Sequence, residues 1–274
     1  MTEGAIVEFR ILGPLEIISS HGDPVRIAKP RVRELLCVLL LRAGRPCTHG
    51  MLAETLWADG KLPRDPATAV RVYAYRARQA LGRDCECLAT LPDAYRIDPG
   101  EGELDLHRFH DLTAAGERAL ASGRPRQARD AFSAALGLWR EPPLADLPAA
   151  PQIEAEVARL QEQRRAAEAD LADARLALGH HQQILPDLRR AVTRDPLCER
   201  SWAQLMLASY RSRGRAAALA VYSEARGALL AELGVSPGRE LQALLRGVLA
   251  ENPGLAPRPA AATGPLVQQR ISHT

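Results

Sequence analysis

The chain has 274 residues, which is enough for two domains of ordinary size, each with its own core. Its formal net charge is only +3, so the overall charge by itself indicates no particular partner. No apolar run approaches the roughly 20 residues of a membrane span, and five cysteines in a chain of this length form no disulfide framework. We therefore expect a reduced, cytoplasmic protein with no signal peptide and no membrane partner.

The distribution of charge is more informative than its total. Residues 26–83 contain twelve Lys and Arg residues against four Asp and Glu residues, a local excess of +8. The rest of the chain has a balance of −5. This contrast predicts a basic nucleic-acid-binding module attached to a mildly acidic partner domain.

The N-terminal segment predicts a small antiparallel sheet and two helices. Residues 6–18 alternate imperfectly between apolar and polar positions, which predicts one strand interrupted by a glycine–proline pair. A short strand follows at residues 25–27, and an apolar helix at residues 33–42. Thr48 is then a good N-cap for a second helix that runs to Trp57.

A third helix, over residues 69–81, has two different faces. Arg71, Tyr75 and Arg78 lie on one flank of its polar surface, and Arg76 opens on the other side. A basic, aromatic-tipped helix of this shape suits the major groove of DNA, although the same pattern fits the solvated face of an ordinary core helix. Its apolar residues recur at helical spacing and form one stripe: Val70, Tyr73, Ala74, Ala77 and Leu81.

The segment after this helix predicts a terminal hairpin. Residues 87–91 and 95–97 flank a Pro92-Asp93-Ala94 turn. Strands, three helices and a hairpin in this order are typical of a winged helix-turn-helix domain. Arg96 lies on the hairpin, where a wing could reach a minor groove or phosphates.

The second half of the chain predicts amphipathic helices joined by short turns. Gly179 and Gly214 are candidate turn residues 35 positions apart, close to the tetratricopeptide period of about 34. Stacked helix pairs would build a solenoid, and an irregular helical bundle is the alternative. Residues 253–274 are rich in Pro, Ala, Gly and Gln and are predicted to be disordered.

The sequence offers no pattern that favours catalysis or a bound cofactor. It contains no glycine-rich phosphate loop, and no Ser/His/Asp arrangement stands out. The C-x-C spacing of Cys85 and Cys87 is unusual for structural zinc, and no second cysteine pair follows. We therefore expect no enzyme, no cofactor and no metal.

Two groups of motifs resemble the Streptomyces antibiotic regulatory protein family over roughly residues 8 to 250. The first comprises Phe-Arg-Ile-Leu-Gly-Pro-Leu-Glu at 9–16, Leu-Leu-Leu-Arg-Ala-Gly-Arg-Pro at 39–46, Leu56-Trp57, Val72-Tyr73 and Arg76. The second comprises Leu-Trp-Arg at 138–140, Pro-Leu-Ala-Asp-Leu at 143–147, Leu-Met-Leu-Ala-Ser-Tyr-Arg at 205–211 and Glu-Leu-Gly-Val-Ser-Pro at 232–237.

This resemblance implies a mainly α-helical protein with a small N-terminal antiparallel sheet. Residues 1–99 would form a winged-helix DNA-binding domain of the OmpR type, and residues 103–252 a bacterial transcriptional activation domain built as a tetratricopeptide-like helical array. Proteins of this family typically bind direct repeats upstream of antibiotic biosynthesis promoters and recruit RNA polymerase.

The leading hypothesis is therefore a nucleoid-associated, sequence-specific transcriptional activator that binds double-stranded DNA. Phosphate contacts are predicted from Lys29, Arg31, Arg33 and Arg78, and base readout from Arg71, Tyr75 and Arg76. The remaining predicted DNA contacts are Thr48, Thr68, Val72 and Arg96.

Two further interactions are expected. The loop between the second and third helices is predicted to contact RNA polymerase or a sigma factor, unless it is a mere connector, and the helical array is predicted to support a homodimer. The loop residues proposed for this contact are Asp59, Lys61, Leu62, Arg64 and Asp65. The alternative function is a tetratricopeptide adaptor without sequence-specific DNA binding, which would lack the steep salt dependence of a DNA-binding protein.

Overall fold

A computed structural model of the chain describes residues 6–58, 60–140, 142–148 and 150–256, and the description that follows refers to these. The strands are β1 (Glu8–Arg10), β2 (Glu16–Ile18), β3 (Cys47–Thr48), β4 (Leu88–Leu91) and β5 (Ala94–Ile97). The helices are α1 (Pro30–Leu41), α2 (His49–Leu56), α3 (Pro66–Leu81), α4 (Asp105–Ala121), α5 (Pro125–Gly137), α6 (Pro151–Ala177), α7 (Leu185–Arg194), α8 (Glu199–Arg213), α9 (Arg215–Leu233) and α10 (Arg239–Leu249). The predicted fold class, mainly helical with a small antiparallel sheet near the N-terminus, is confirmed. In the described ranges no helix is both long enough and apolar enough to cross a bilayer.

The chain divides into two compact units. The first comprises residues 6–118 with 130–168, and the second residues 119–129 with 169–256. Each of α4, α5 and α6 contributes residues to both units, and the ranges 1–99 and 103–252 stay a prediction.

The predicted C-terminal tail begins with an ordered turn. Pro253–Leu255 forms a short 3-10 helix, and Leu255 packs against the core of the second unit. Residues 257–274, the rest of the predicted tail, lie outside the described residues.

The N-terminal sheet differs from its prediction. Residues 6–18 were expected to form a single strand, but β1 and β2 are the two arms of an antiparallel hairpin, with Phe9 opposite Ile17. Residues 25–27 form no strand, and the neighbouring Pro24 makes a bridge to Ile18. The chain reverses around Gly13-Pro14, where proline offers no amide for a ladder, and a Cβ on Gly13 would lie 2.8 Å from Cβ of Arg140.

Asp105, the first residue of α4, holds the turn between β1 and β2. Its side chain is 3% exposed, and its two oxygens accept hydrogen bonds from the amides of Ile11 and Leu12, each at 2.9 Å. Burial raises the pKa of Asp105, and the two amide bonds act against this shift. Arg140 adds a guanidinium 3.7 Å from the carboxylate, and its own amide donates to the carbonyl of Leu12 at 2.8 Å.

The second unit is a set of helices around one apolar core. Helices α7 to α10 enclose a cluster that includes Leu188, Trp202, Val221 and Leu241. Gly214 separates α8 from α9 with φ of 84°, and Gly179 follows α6 with φ of 87°, a region that favours glycine. Both glycines therefore end helices, as their spacing predicted.

Candidate nucleic-acid interface

Neighbouring residues determine where helix α3 begins and where it ends. Asp65 is its N-cap and accepts hydrogen bonds from the amide of Thr68 at 3.0 Å and from the Thr68 hydroxyl at 2.6 Å. Pro66 occupies the first turn, where its missing amide costs nothing, and Gly82 with φ of 60° ends the helix. The helix therefore begins three residues before its predicted start at 69, because the Asp-Pro pair was assigned to the loop.

One face of α3 is buried and the other is open. Val70, Ala74, Ala77 and Leu81 face the core, against α1 and α2. On the opposite side Tyr75 is 60% exposed and Val72 is 40% exposed. We call this side the outer face of α3, and it comprises Thr68, Arg71, Val72, Tyr75, Arg76 and Gln79.

The outer face carries two cations that are available for an external ligand. Arg71 and Arg76 are exposed, and among the described residues no carboxylate lies within salt-bridge distance of either guanidinium. By contrast, the Tyr75 hydroxyl already accepts a hydrogen bond from Nε2 of Gln79 at 2.6 Å. Gln79 was not among the predicted site residues, although its i+4 spacing from Tyr75 was visible in the sequence.

Arg78 connects α3 to the hairpin. Its Nη2 atom donates to the carbonyl of Leu88 at 2.8 Å and to the hydroxyl of Thr90 at 2.7 Å. Its guanidinium lies 5.5 Å from the centre of the Tyr95 ring. These contacts give Arg78, predicted as a phosphate contact, an internal role in orienting the hairpin on the helix.

The hairpin belongs to a three-stranded antiparallel sheet in which β5 lies between β3 and β4. The turn from β4 to β5 is a tight Pro92-Asp93 pair, and Asp93 has φ of 55°, a region that aspartate tolerates. The Asp93 carboxylate lies 2.9 Å from Nδ1 of the buried His49. Arg96 on β5 is half-buried and donates to Asp98 at 2.7 Å, so its charge is partly compensated.

The predicted contacts on α1 and α2 fall into two classes. Lys29 is exposed and stands immediately before α1. Thr48 is exposed and caps α2 by accepting a hydrogen bond from the Met51 amide at 3.2 Å, as predicted. Arg31 is engaged internally: it pairs with Glu34 at 2.8 Å and also donates to the carbonyl of Leu56.

Arg33 makes its contacts with other parts of the protein. Its Nε and Nη2 atoms donate to the two carboxylate oxygens of Asp146 at 2.7 and 2.9 Å, and Nη2 also donates to the carbonyl of Leu15. Asp146 in turn accepts a hydrogen bond from the Leu15 amide. Because this bidentate pair occupies the guanidinium, we remove Arg33 from the set of proposed phosphate contacts.

Burial acts to raise the pKa of Asp146, but the hydrogen bonds from Arg33 and Leu15 outweigh it, and the net shift is downward. The same pair raises the pKa of Arg33. We call the set Arg33, Asp105, Arg140 and Asp146 the clasp, because its members hold the β1–β2 turn. The clasp was not predicted from the sequence, although Arg140 and Asp146 lie in the Leu-Trp-Arg and Pro-Leu-Ala-Asp-Leu motifs that carried the family resemblance.

The loop between α2 and α3 is short and contains an exposed leucine. Leu62 is 58% exposed, and its neighbours Lys61 and Arg64 are also exposed. Asp65 is the α3 cap, and hydrogen bonds from Thr68 lower its pKa. Asp59 lies outside the described residues.

Burial disfavours the thiolate form of three of the cysteines. Burial raises the pKa of Cys37 and of Cys47, and it raises that of Cys87 to about 12. In the parts of the chain that the structure covers, no group of three or more His, Cys, Asp or Glu side chains is arranged to hold a metal ion.

Comparison with known proteins gives this geometry a family context. Residues 104–249 match the family model of the bacterial transcriptional activator domain. The chain is 38% identical over 260 residues to the regulatory protein AfsR of Streptomyces coelicolor, covering 94% of this chain and 26% of AfsR. It is 32% identical over 258 residues to the regulatory protein DnrI of Streptomyces peucetius, covering 91% of this chain and 94% of DnrI.

A solved structure has the same fold. Mycobacterium tuberculosis EmbR, in complex with a low-affinity phosphopeptide, is 31% identical, superimposes with a TM-score of 0.84, and is matched over 90% of this chain and 66% of its own length. The chain thus spans about a quarter of the length of AfsR but nearly all of DnrI. The family match and these relatives show that the chain belongs to the Streptomyces antibiotic regulatory protein family of transcriptional regulators.

Proposed function

We propose that this chain is a sequence-specific DNA-binding activator of transcription. It binds direct repeats upstream of antibiotic biosynthesis promoters, as a homodimer, and recruits RNA polymerase. The observation that carries the proposal is the outer face of α3, where Arg71 and Arg76 are exposed beside Val72 and Tyr75 on a helix whose other face is buried.

Two exposed cations flank exposed apolar side chains on this face. A protein that needed Arg71 and Arg76 only for solubility would have no reason to set them around exposed apolar side chains. A polyanion satisfies both features, because guanidinium groups bind phosphates and guanine edges while the groove accepts apolar contact. Lys29 and Thr48 supply further exposed groups for phosphates on the neighbouring helices.

Positioning and readout are divided among these groups. Arg71, Tyr75 and Arg76 read base edges, and Lys29, Thr48 and Arg96 contact the backbone. Arg31, Arg33 and Arg78 support the interface from within, because their guanidinium groups are hydrogen-bonded to the protein. The mechanism is binding energy rather than catalysis.

The test is a binding series with the full chain. A selection from a random DNA library identifies the preferred sequence, and fluorescence anisotropy then measures affinity for it at several salt concentrations. We expect Arg76→Ala to cost about 1–3 kcal/mol of binding free energy and to relax the sequence preference at one position of the site. Arg226→Ala, an exposed arginine of α9, is the matched control and should change neither quantity.

An Arg76→Ala protein with unchanged affinity and unchanged sequence preference would contradict this assignment. A wild-type chain that prefers no sequence and binds weakly at every salt concentration would instead favour the adaptor alternative. The homodimer is tested on the same DNA by measuring the mass of the complex on one repeat and on two.

A second part of the proposal concerns recruitment of polymerase or a sigma factor. Leu62 is 58% exposed between two cationic neighbours in the loop before α3, which suits a protein contact better than a core position. We expect Leu62→Ala to lower transcription from the bound promoter in vitro while leaving DNA affinity intact. Leu197→Ala, an exposed leucine of the second unit, is the control. Equal transcription from both variants would show that the loop only connects α2 to α3.

A further inference from the structure

The outer face of α3 has a centre and two flanks, and they differ in chemistry. With about 100° of rotation per residue, the buried stripe of the helix defines a direction, and Val72 and Gln79 lie within about 10° of the opposite direction. Arg71 lies about 90° and Arg76 about 50° from that centre, on opposite sides. The two cations therefore flank a centre that is uncharged.

The polar groups near the centre each make a hydrogen bond within the protein. The Thr68 hydroxyl donates to the carboxylate of Asp65 at 2.6 Å, so it belongs to the helix cap. The Tyr75 hydroxyl and the Gln79 amide are hydrogen-bonded to one another at 2.6 Å, which ties the Tyr75 ring along the helix towards Gln79. Val72 has no hydrogen-bonding side-chain group, and it is 40% exposed. The centre is therefore suited to apolar contact.

The major groove contains one apolar group that distinguishes base pairs, the 5-methyl group of thymine. A helix seated in the groove turns its centre towards the base edges, and long arginine side chains reach bases or phosphates from the flanks. An exposed valine at the centre gains the most binding energy where a methyl group meets it, because it can satisfy no donor or acceptor.

On this geometry we infer that Val72 selects a T·A base pair in the DNA site by packing against the thymine 5-methyl group, with the tethered Tyr75 ring completing the apolar contact. The inference rests on the proposed function and adds to it the chemical identity of one base pair. Val72 is a specificity-determining residue in this scheme, and Gln79 is a positioning residue that acts through Tyr75.

The test removes the methyl group and nothing else. The full chain is used in two parallel selections from random duplex libraries, one made with thymine and one with deoxyuridine in its place. We expect the thymine library to enrich T at one position of each repeat, and the deoxyuridine library to lose that preference while it keeps the preferences at guanines. In the selected site, replacing that single thymine by deoxyuridine should weaken binding by about 3- to 10-fold.

The variants assign the effect to the side chain. Val72→Ala should lower the ratio of the thymine-site affinity to the deoxyuridine-site affinity well below the wild-type ratio, whereas Val235→Ala, the same substitution at an exposed valine of the second unit, should keep the wild-type ratio. Gln79→Ala should lower this ratio by a smaller amount, because it removes only the hydrogen bond that positions Tyr75. Circular dichroism checks that each variant is folded.

The outcomes separate the two proposals. A chain that selects a DNA sequence but binds thymine and deoxyuridine sites equally at every position overturns the inference and leaves the proposed function intact. A Val72→Ala variant that discriminates as strongly as the wild type also overturns it. A wild-type chain that selects no sequence at all overturns the proposed function, and this inference with it.

Discussion

The outer face of α3 and the clasp contain the same cation in opposite circumstances. Arg71 and Arg76 are exposed and have no carboxylate within salt-bridge distance among the described residues, whereas Arg33 is held by both oxygens of Asp146. In the clasp the arginine is paired with a carboxylate, and the pair holds the β1–β2 turn in place. On α3 it remains available to a ligand. The comparison teaches that the partner of an arginine, rather than its position in a basic segment, decides whether it supports folding or binding.

The largest expected effect lies in the clasp, at Asp105. Asp105→Ala leaves the buried amides of Ile11 and Leu12 without acceptors and removes the carboxylate beside Arg140. We expect the free energy of unfolding of the first unit to fall by about 2–4 kcal/mol. Urea denaturation followed by fluorescence measures it, with Asp111→Ala, an exposed aspartate of the same helix, as the control. Equal stability of the two variants would mean that water replaces the carboxylate.

The second-largest effect is expected for Arg33→Ala, which directly tests the comparison between the clasp and the outer face of α3. It leaves the partly buried Asp146 without its guanidinium partner, so we expect a loss of about 1–3 kcal/mol in the free energy of unfolding. The affinity of the folded fraction for DNA should be unchanged. Arg26→Ala, an exposed arginine nearby in the chain, should affect stability little. A fall in DNA affinity at full stability would return Arg33 to the predicted phosphate contacts.

The reverse result is expected on α3. Arg71→Ala should lower DNA affinity by about 5- to 30-fold while the unfolding free energy stays within about 0.5 kcal/mol of the wild type, because the side chain is exposed and bound to no carboxylate. Binding titrations and urea denaturation on the same samples measure both quantities. If Arg71→Ala destabilised the fold as much as Arg33→Ala, the distinction between the two regions would fail.

The smallest expected effect is the pH dependence of the stability that Asp146 contributes to the clasp. The pKa of Asp146 is lowered in the folded chain, so its contribution to stability is present above its ordinary value of 3.8 and is lost as the pH falls through the lowered value. Asp146→Asn should therefore be less stable than the wild type at neutral pH and approach it below about pH 4. Urea midpoints measured between pH 7 and pH 3 report the difference. A constant gap across that range would show that the carboxylate does not titrate with folding.

Much of the helical framework could be predicted because its signals are local. The Thr48 cap and the turn glycines Gly179 and Gly214 act through neighbours a few residues away. The N-terminal hairpin could not be predicted, since the alternation of residues 6–18 predicts one interrupted strand and does not show that the chain reverses. The turn is held from far along the chain, because Asp105 accepts hydrogen bonds from the amides of Ile11 and Leu12.

The candidate site shows the same division between local and distant effects. The two faces of α3 follow from helical periodicity, which the sequence displays directly, and so do the exposed positions of Arg71, Val72 and Tyr75. The internal roles of Arg31, Arg33 and Arg78 do not, because their partners lie on other elements.

The amino-acid sequence by itself determined where most helices begin and end, which face of α3 is apolar, and which family the motifs resemble, because capping, periodicity and motif spacing are written into neighbouring residues. Only the tertiary structure decided which arginines remain available. Arg33 meets Asp146 across 113 positions of chain, and Asp105 meets the Leu12 amide across 93. A charge pair between such distant residues depends on the packing of whole elements, and no local pattern records it.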